Sequence, residues 1–170
     1  MQISSDQKTW TQYNMSKSNY LVQPTVIRPK VGVAYLQAYL RDRRAQHLYS
    51  SNSTDEGRSW SDPVPTSLPN NNAAIQSSVL NNGHIVLVYN PTTSARVPLR
   101  ISLSEDEGQT WAYSRDLETN DTLPITEYSY PSVLQTPDDY IHVSYTYDRL
   151  TIKYVKFKED WIMNMSLPLP

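Results

Sequence analysis

The 170-residue chain has no cysteine, only four glycines and a single phenylalanine. Without cysteine there are no disulfides and no thiolate metal sites, and the compartment stays open. Charge of one sign is also lacking, since 15 Lys and Arg against 17 Asp and Glu leave a net charge of −2. The basic residues are dispersed apart from Arg41, Arg43 and Arg44, so there is no electrostatic footprint for nucleic acid, and none is expected as a partner. No apolar run approaches the roughly 20 residues that a membrane span needs. The N-terminus does not show the charged-then-apolar layout of a signal peptide, and a soluble chain with no membrane partner is expected.

What the chain does have is tyrosine, 13 copies, together with Val, Ile and Leu in place of Ala- or Glu-rich helical sequence. That composition favours strands. Twelve prolines and many Asn, Ser and Asp clusters punctuate it at short intervals, as many short strands joined by turns require. The length suffices for one domain with a sizeable core. An all-β chain with almost no helix is expected.

Two stretches repeat one another almost letter for letter: Ser53-Thr54-Asp55-Glu56-Gly57-Arg58-Ser59-Trp60 and Ser104-Glu105-Asp106-Glu107-Gly108-Gln109-Thr110-Trp111. Both fit S-x-D-x-G-x-[ST]-W, and Trp60 and Trp111 lie 51 residues apart. The glycines keep the same interval, Gly32 with Gly83 and Gly57 with Gly108. A weaker copy, Ser4-Ser5-Asp6-Gln7-Lys8-Thr9-Trp10, lacks the glycine and is one residue short. A fixed period of about 40 to 50 residues is that of one four-stranded propeller blade. Residues 1–170 therefore read as one partial propeller domain with blade edges near Trp10, Trp60 and Trp111.

Within each repeat a short alternating strand reaches a turn and continues into a second strand. Ser77-Ser78-Val79-Leu80, the turn Asn81-Asn82-Gly83 and His84 to Tyr89 form one such hairpin, with positive φ cheap at the Asn-Gly turn. Pro131-Ser132-Val133-Leu134 with Pro137-Asp138-Asp139 and Ile141 to Tyr147 form another, and Pro24-Thr25-Val26-Ile27 with Gly32 and Val33 to Leu40 a third. The third strands, His47 to Ser50 and Leu99 to Leu103, run into the boxes. A box suits a hairpin tip: the carboxylate accepts from turn amides, the glycine takes a left-handed conformation and the tryptophan packs on the blade. Asp55 and Asp106 are thus read as structural.

The boxes, their spacing and the alternating strands resemble the Asp-box (BNR) repeats of sialidases, or neuraminidases, which are six-bladed propellers. Tyr128-Ser129-Tyr130-Pro131-Ser132-Val133 and Arg96-Val97-Pro98-Leu99 resemble the bacterial-type branch. The resemblance implies about three blades of four antiparallel strands, the C-terminal half of a ring. The chain opens at Met1 inside the degenerate box, which reads as a truncated repeat. A half-ring leaves blade faces that a second copy of the chain, as a homodimer, or the missing N-terminal blades of a longer protein would cover.

Inner strands of successive blades converge on the propeller axis. Nine residues before each turn position (Gly32, Gly83, Asp139) stand Gln23, Ala74 and Tyr130. By the resemblance, that register carries the tyrosine nucleophile in the last blade, which is Tyr130, and a glutamate base in an earlier one, where this chain has Gln23. Glutamine can hydrogen-bond a phenol but cannot take its proton. Glu127 is a nearby carboxylate, though strand alternation points it away from Tyr128 and Tyr130 unless the chain bends. Tyr128, also in a Tyr-Ser pair, is the alternative candidate. Sialidases hold the substrate carboxylate with three arginines, and Arg41 and Arg96 resemble the second and third; Arg43, Arg44, Arg58 and Arg100 read as solvated surface groups. The first arginine and the aspartate acid belong to the family's N-terminal blades.

The resemblance thus implies a fragment of a sialidase-like glycoside hydrolase acting on a glycan with a terminal acidic sugar, inactive in isolation and needing no cofactor. The alternatives are a non-catalytic glycan-binding propeller and a structural or protein-binding one, and the last requires Arg41 and Arg96 to lie far from Tyr130. His47, His84 and His142 are separated singletons, so no metal is expected. Four N-x-[ST] sequons, at Asn14, Asn52, Asn120 and Asn164, would permit glycosylation, but a chain this rich in Asn, Ser and Thr carries about half that number by chance.

Overall fold

The computed structural model describes residues 1–29, 32–119 and 127–165. Thirteen strands and one short helix follow in the order β1 (Gln2–Ile3), β2 (Thr11–Gln12), β3 (Leu21–Ile27), β4 (Leu36–Asp42), β5 (His47–Ser53), β6 (Val64–Pro69), β7 (Gln76–Val79), β8 (Ile85–Tyr89), β9 (Leu99–Ser104), β10 (Tyr113–Glu118), β11 (Tyr128–Gln135), β12 (Tyr140–Tyr147), β13 (Thr151–Lys158) and α1 (Glu159–Met163). They form antiparallel meanders: β3-β4-β5-β6, β7-β8-β9-β10 and the three-stranded β11-β12-β13, preceded by the pair β1-β2. These sheets are propeller blades, and among the described residues they do not close into a ring. No described helix is long and apolar enough to cross a membrane.

Burial follows the period of two. In β12, Ile141, Val143 and Tyr145 are buried while His142 and Ser144 are not, because successive side chains point to opposite faces. Blade faces then stack. Ile27, Tyr39, Leu48, Ile85, Leu87 and Tyr89 join the first four-stranded blade to the second. Val86, Ile101, Leu103, Val133, Val143 and Phe157 join the second to the third. The inner strands lie side by side, with β7 between β3 and β11. Thr25 and Ser77 hydroxyls lie 2.9 Å apart there, and Ser77 N–H donates to Thr25 Oγ1 at 3.1 Å, so the polar groups at this buried seam satisfy each other.

Each box is the turn between a third and a fourth strand. Ser59 N–H and Thr110 N–H donate to Asp55 Oδ1 and Asp106 Oδ1, each at 2.8 Å, and the Ser59 and Thr110 hydroxyls donate to the other carboxylate oxygens at 2.6 Å. Ser53 Oγ and Ser104 Oγ each donate to the same aspartate and accept from the glycine N–H, all at 2.8 Å. In the short copy between β1 and β2, Asp6 Oδ1 accepts from Lys8 and Thr9 N–H at 2.9 and 2.7 Å. That turn closes with one residue fewer because the glycine is absent.

Gly108 needs to be glycine for two reasons. Its φ is +82°, and a Cβ there would lie 1.9 Å from Tyr39 Oη in the preceding blade. Trp111 then meets the Tyr39 ring edge-on at 5.8 Å. The box is therefore a latch between blades as well as a hairpin tip. At the other end of the chain, Arg115 of β10 lies over the Trp161 ring at 4.2 Å and donates to the Trp161 and Asn164 carbonyls at 2.8 and 3.0 Å, fixing α1 to the second blade. Of the sequons, Asn14, Asn52 and Asn164 are exposed and Asn120 lies outside the described residues.

Candidate active site

Two inner strands break their ladders at the same place. Pairing of β3 with β4 shifts by one between Val22 and Thr25, and pairing of β11 with β12 shifts by one between Ser129 and Ser132. The residues in these bulges are Gln23-Pro24 and Tyr130-Pro131. Proline cannot donate to a ladder, so it belongs at a bulge or edge. Gln23 and Tyr130 take φ of 48° and 54°, a region in which non-glycine residues are uncommon and which tends to be kept where the surroundings demand it. The bulge re-aims the side chain. Tyr130 stands 56% exposed, and Gln23 is also exposed. The second blade has no matching shift, and Ala74 is buried before β7 begins.

Arg96 comes from the connection between β8 and β9, and its guanidinium carbon lies 5.4 Å from the centre of the Tyr130 ring. Its Nη1 donates to Glu127 Oε1 at 2.7 Å, and its carbonyl accepts from Tyr128 N–H at 3.0 Å. Glu127 is held on both oxygens: Arg149 Nη2 lies 2.6 Å from Oε2, and Ser129 Oγ donates to Oε1 at 3.1 Å. Partial burial pushes the Glu127 carboxyl up, but the hydrogen bonds from Arg149, Ser129 and Arg96 together with the charge of Arg96 outweigh it and hold it below the usual carboxylate range. A carboxylate tied up in this way orients Arg96 and is a poor proton acceptor.

Arg41 is the penultimate residue of β4, opposite Val22 in the ladder. Its Nη1 donates to the Asn72 carbonyl at 3.1 Å, while Arg41 Nε and Asn72 Oδ1 are buried without a protein partner. Burial lowers the Arg41 guanidinium from its ordinary value; Tyr130 acts against this, and Arg96 and Arg43 add to it. It stays charged at neutral pH. Arg41, Arg96 and Tyr130 thus share one electrostatic neighbourhood at one end of the inner strands.

Tyr128 does not line this site. It is 3% exposed, and its ring packs on Tyr145 and Tyr147 at 6.5 and 5.2 Å. Because Tyr130 sits in the bulge, Tyr128 and Tyr130 do not share a face, and Tyr128 is a core residue. Two contributors had no sequence signal of their own: Arg149, next to the turn at Asp148, and Asn72, in the connection before β7. Among the described residues no group of three His, Cys, Asp or Glu side chains converges as a metal site.

The family model for the BNR repeat-like domain matches residues 2–143. The chain belongs to that family. No curated protein matches it. Among solved structures, this BNR repeat-like chain is similar to the Hadza microbial sialidase Hz136, with a TM-score of 0.77 at 21% identity over 94% of this chain and 32% of that one. It is similar to the NanB sialidase of Streptococcus pneumoniae, with a TM-score of 0.77 at 18% identity over 95% and 27%. It is also similar to a leech intramolecular trans-sialidase solved with 2,7-anhydro-Neu5Ac, with a TM-score of 0.73 at 20% identity over 95% and 27%. The chain spans about a third or less of the length of these proteins. The likeness shows a sialidase-like fold.

Proposed function

We propose that the chain carries part of a sialidase-like site and binds a terminal acidic sugar, with Arg41 and Arg96 on the sugar carboxylate and Tyr130 at the anomeric carbon. The observation that supports this most is Arg96 over the Tyr130 ring at 5.4 Å. A purely structural propeller would have no need to stand an exposed tyrosine in a bulge beneath a guanidinium. Guanidinium groups suit a carboxylate because their donors form a planar fork and their charge is permanent. Arg96 spends one nitrogen on Glu127 and keeps others for a ligand, and Arg41 has its buried Nε still without a partner.

In the full reaction the phenol oxygen of Tyr130 would bond to the anomeric carbon as the bond to the leaving oxygen breaks. The phenol proton would pass to a base and the leaving oxygen would take a proton from an acid. Gln23 is no base, and Glu127 is engaged by two arginines. In this reading the isolated chain binds the sugar and barely turns it over, and hydrolysis belongs to a longer protein that brings the acid. The same two residues favour a second reading, a glycan-binding propeller that keeps the pocket without the chemistry.

Titrating the chain calorimetrically with methyl α-sialoside tests the binding. Saturable heat that Arg96→Ala abolishes supports the site, and heat indifferent to Arg96→Ala and Arg41→Ala sinks it. An aryl sialoside separates the two readings, because a phenolate leaves without an acid. Under the hydrolase reading Gln23→Glu raises aryl sialoside cleavage, and adding Tyr130→Phe removes the gain. Under the binding reading neither change has an effect.

A further inference from the structure

Beyond the Leu21–Asp42 pair the β3-β4 ladder continues by one step, Arg43 N–H donating to the Tyr20 carbonyl at 2.9 Å. Beside it lies an open concavity of about 350 Å³ lined by Asn19, Tyr20, Val22 and Arg43, within the size range of small-ligand sites. Val22 pairs directly with Arg41, so it presents its side chain on the same face of the sheet. Arg43 is close enough for its charge to act on Arg41. The concavity therefore lies beside Arg41, on the face of the sheet that Val22 and Arg41 share.

Its walls are prepared. Tyr20 is 62% exposed at a φ of 70°, a strained conformation for an aromatic residue. Arg44 braces it: the guanidinium lies 5.6 Å from the Tyr20 ring and 5.4 Å from the Tyr49 ring, and donates to Asp42 Oδ1 at 2.8 Å and Tyr49 Oη at 3.0 Å. A braced, exposed aromatic ring is a platform for the apolar face of a sugar, with its hydroxyl free for hydrogen bonding. Arg44, Arg58 and Arg100 have their donors engaged by Asp42, the Asp55 carbonyl and Asp116. Arg43 is exposed, and no carboxylate pairs with it among the described residues. At the other end of the inner strands the polar groups satisfy one another, Asn81 on Gln135 and Asp139 and Asn82 on Glu159.

We propose that this concavity holds the second residue of a glycan whose terminal acidic sugar occupies the Arg41–Arg96 site, and that Arg43 selects a second residue bearing its own negative charge. The inference rests on the reading of Arg41, Arg96 and Tyr130 as an acidic-sugar site. Tyr20 supplies the stacking surface, Asn19 an amide, Val22 an apolar floor and Arg43 the charge.

Four probes test it by calorimetry on the full chain: methyl α-sialoside with no second residue, sialyllactose with a neutral one, a disialyl glycoside with a second carboxylate, and a sialyllactose sulfated on the second residue. The wild-type chain should bind one or both doubly anionic glycans about tenfold more tightly than sialyllactose, as a charge-assisted contact implies, and which one wins identifies the anion. Arg43→Ala and Arg43→Gln should erase that gap and leave the affinity for methyl α-sialoside unchanged. Tyr20→Ala should weaken the three longer glycans roughly threefold or more and spare methyl α-sialoside. Both residues are exposed, so a thermal melt close to wild type is expected. A gap that is absent from the wild type, or that survives both Arg43 substitutions, overturns the inference alone if methyl α-sialoside still binds in an Arg96-dependent way. Failure of every probe to bind overturns both it and the site beneath it.

Discussion

The Asp boxes and the bulge end of the inner strands handle polar groups in opposite ways. In the boxes, serine, aspartate and threonine close on one another, with matching bonds of equal length in the two complete copies. At the bulge end, Arg41 Nε and Asn72 Oδ1 are buried without protein partners, and Gln23 and Tyr130 face outward from strained backbone. Buried polar groups cost free energy when unpaired, so a fold tolerates them mainly where something else can satisfy them. Within each complete box the aspartate, serine and hydroxyl groups satisfy one another, although Tyr39 Oη and Gln37 Oε1, in the blade before the second box, are buried without partners. The proposed ligand end is assembled from bulges and connections outside the boxes.

This contrast can be broken experimentally, because box substitutions should change stability and bulge-end substitutions should change binding. The largest effect is expected at Gly108→Ala, where left-handed backbone and Tyr39 Oη at 1.9 Å combine to cost about 3 kcal/mol or more. Gly57→Ala should cost only about 1 kcal/mol, since the nearest atoms there lie at 3.5 Å; denaturant melts of both variants measure the difference. Next comes Arg96→Ala, expected to weaken acidic-sugar binding about 100-fold, or about 2.7 kcal/mol, with the melting midpoint nearly unchanged because Glu127 keeps Arg149. Equal losses in midpoint and affinity would erase the distinction. Glu127→Gln should weaken binding about fivefold by loosening Arg96 while the chain stays folded. Asp106→Ala should lower the midpoint by a few degrees and leave binding alone.

The smallest expected effect is the pH dependence that the boxes contribute. Hydrogen bonds from the Ser59 and Thr110 side chains first, then from their backbone N–H groups, hold Asp55 and Asp106 at about 2 against an ordinary 3.8. A lowered carboxyl favours the folded state above its ordinary value, and that contribution fades as pH falls from about 4 to about 2. Midpoints measured across that window should decline in the wild type and decline less steeply in Asp106→Asn, which keeps only the Asp55 contribution from the two complete boxes.

The blades were legible because a propeller writes its period into residues with narrow conformational duties. Gly57, Gly108 and the box aspartates are needed at one spot each, and their interval places every strand between them. Counting back from turn residues leads to Gln23 and Tyr130, and both lie in bulges because the two blades insert their extra residue at the same point. The bulges themselves were not read, although Pro24 and Pro131 mark them. Overlooking them left Tyr128 as a candidate and Glu127 as a spare base, whereas one lies in the core and the other is tied to Arg96 and Arg149. Ion pairs such as Glu127 with Arg149 join residues whose separation carries no periodic signal, so only coordinates could reveal them.

Tyr39 lies in the first complete blade, yet Gly108 of the next blade lies against its hydroxyl and Trp111 against its ring. On a ribosome, where domains are made from the N-terminus onward, the first blade emerges with that tyrosine still open to water and is sealed only when the following box arrives. The first complete blade is thus provisional until the second box exists.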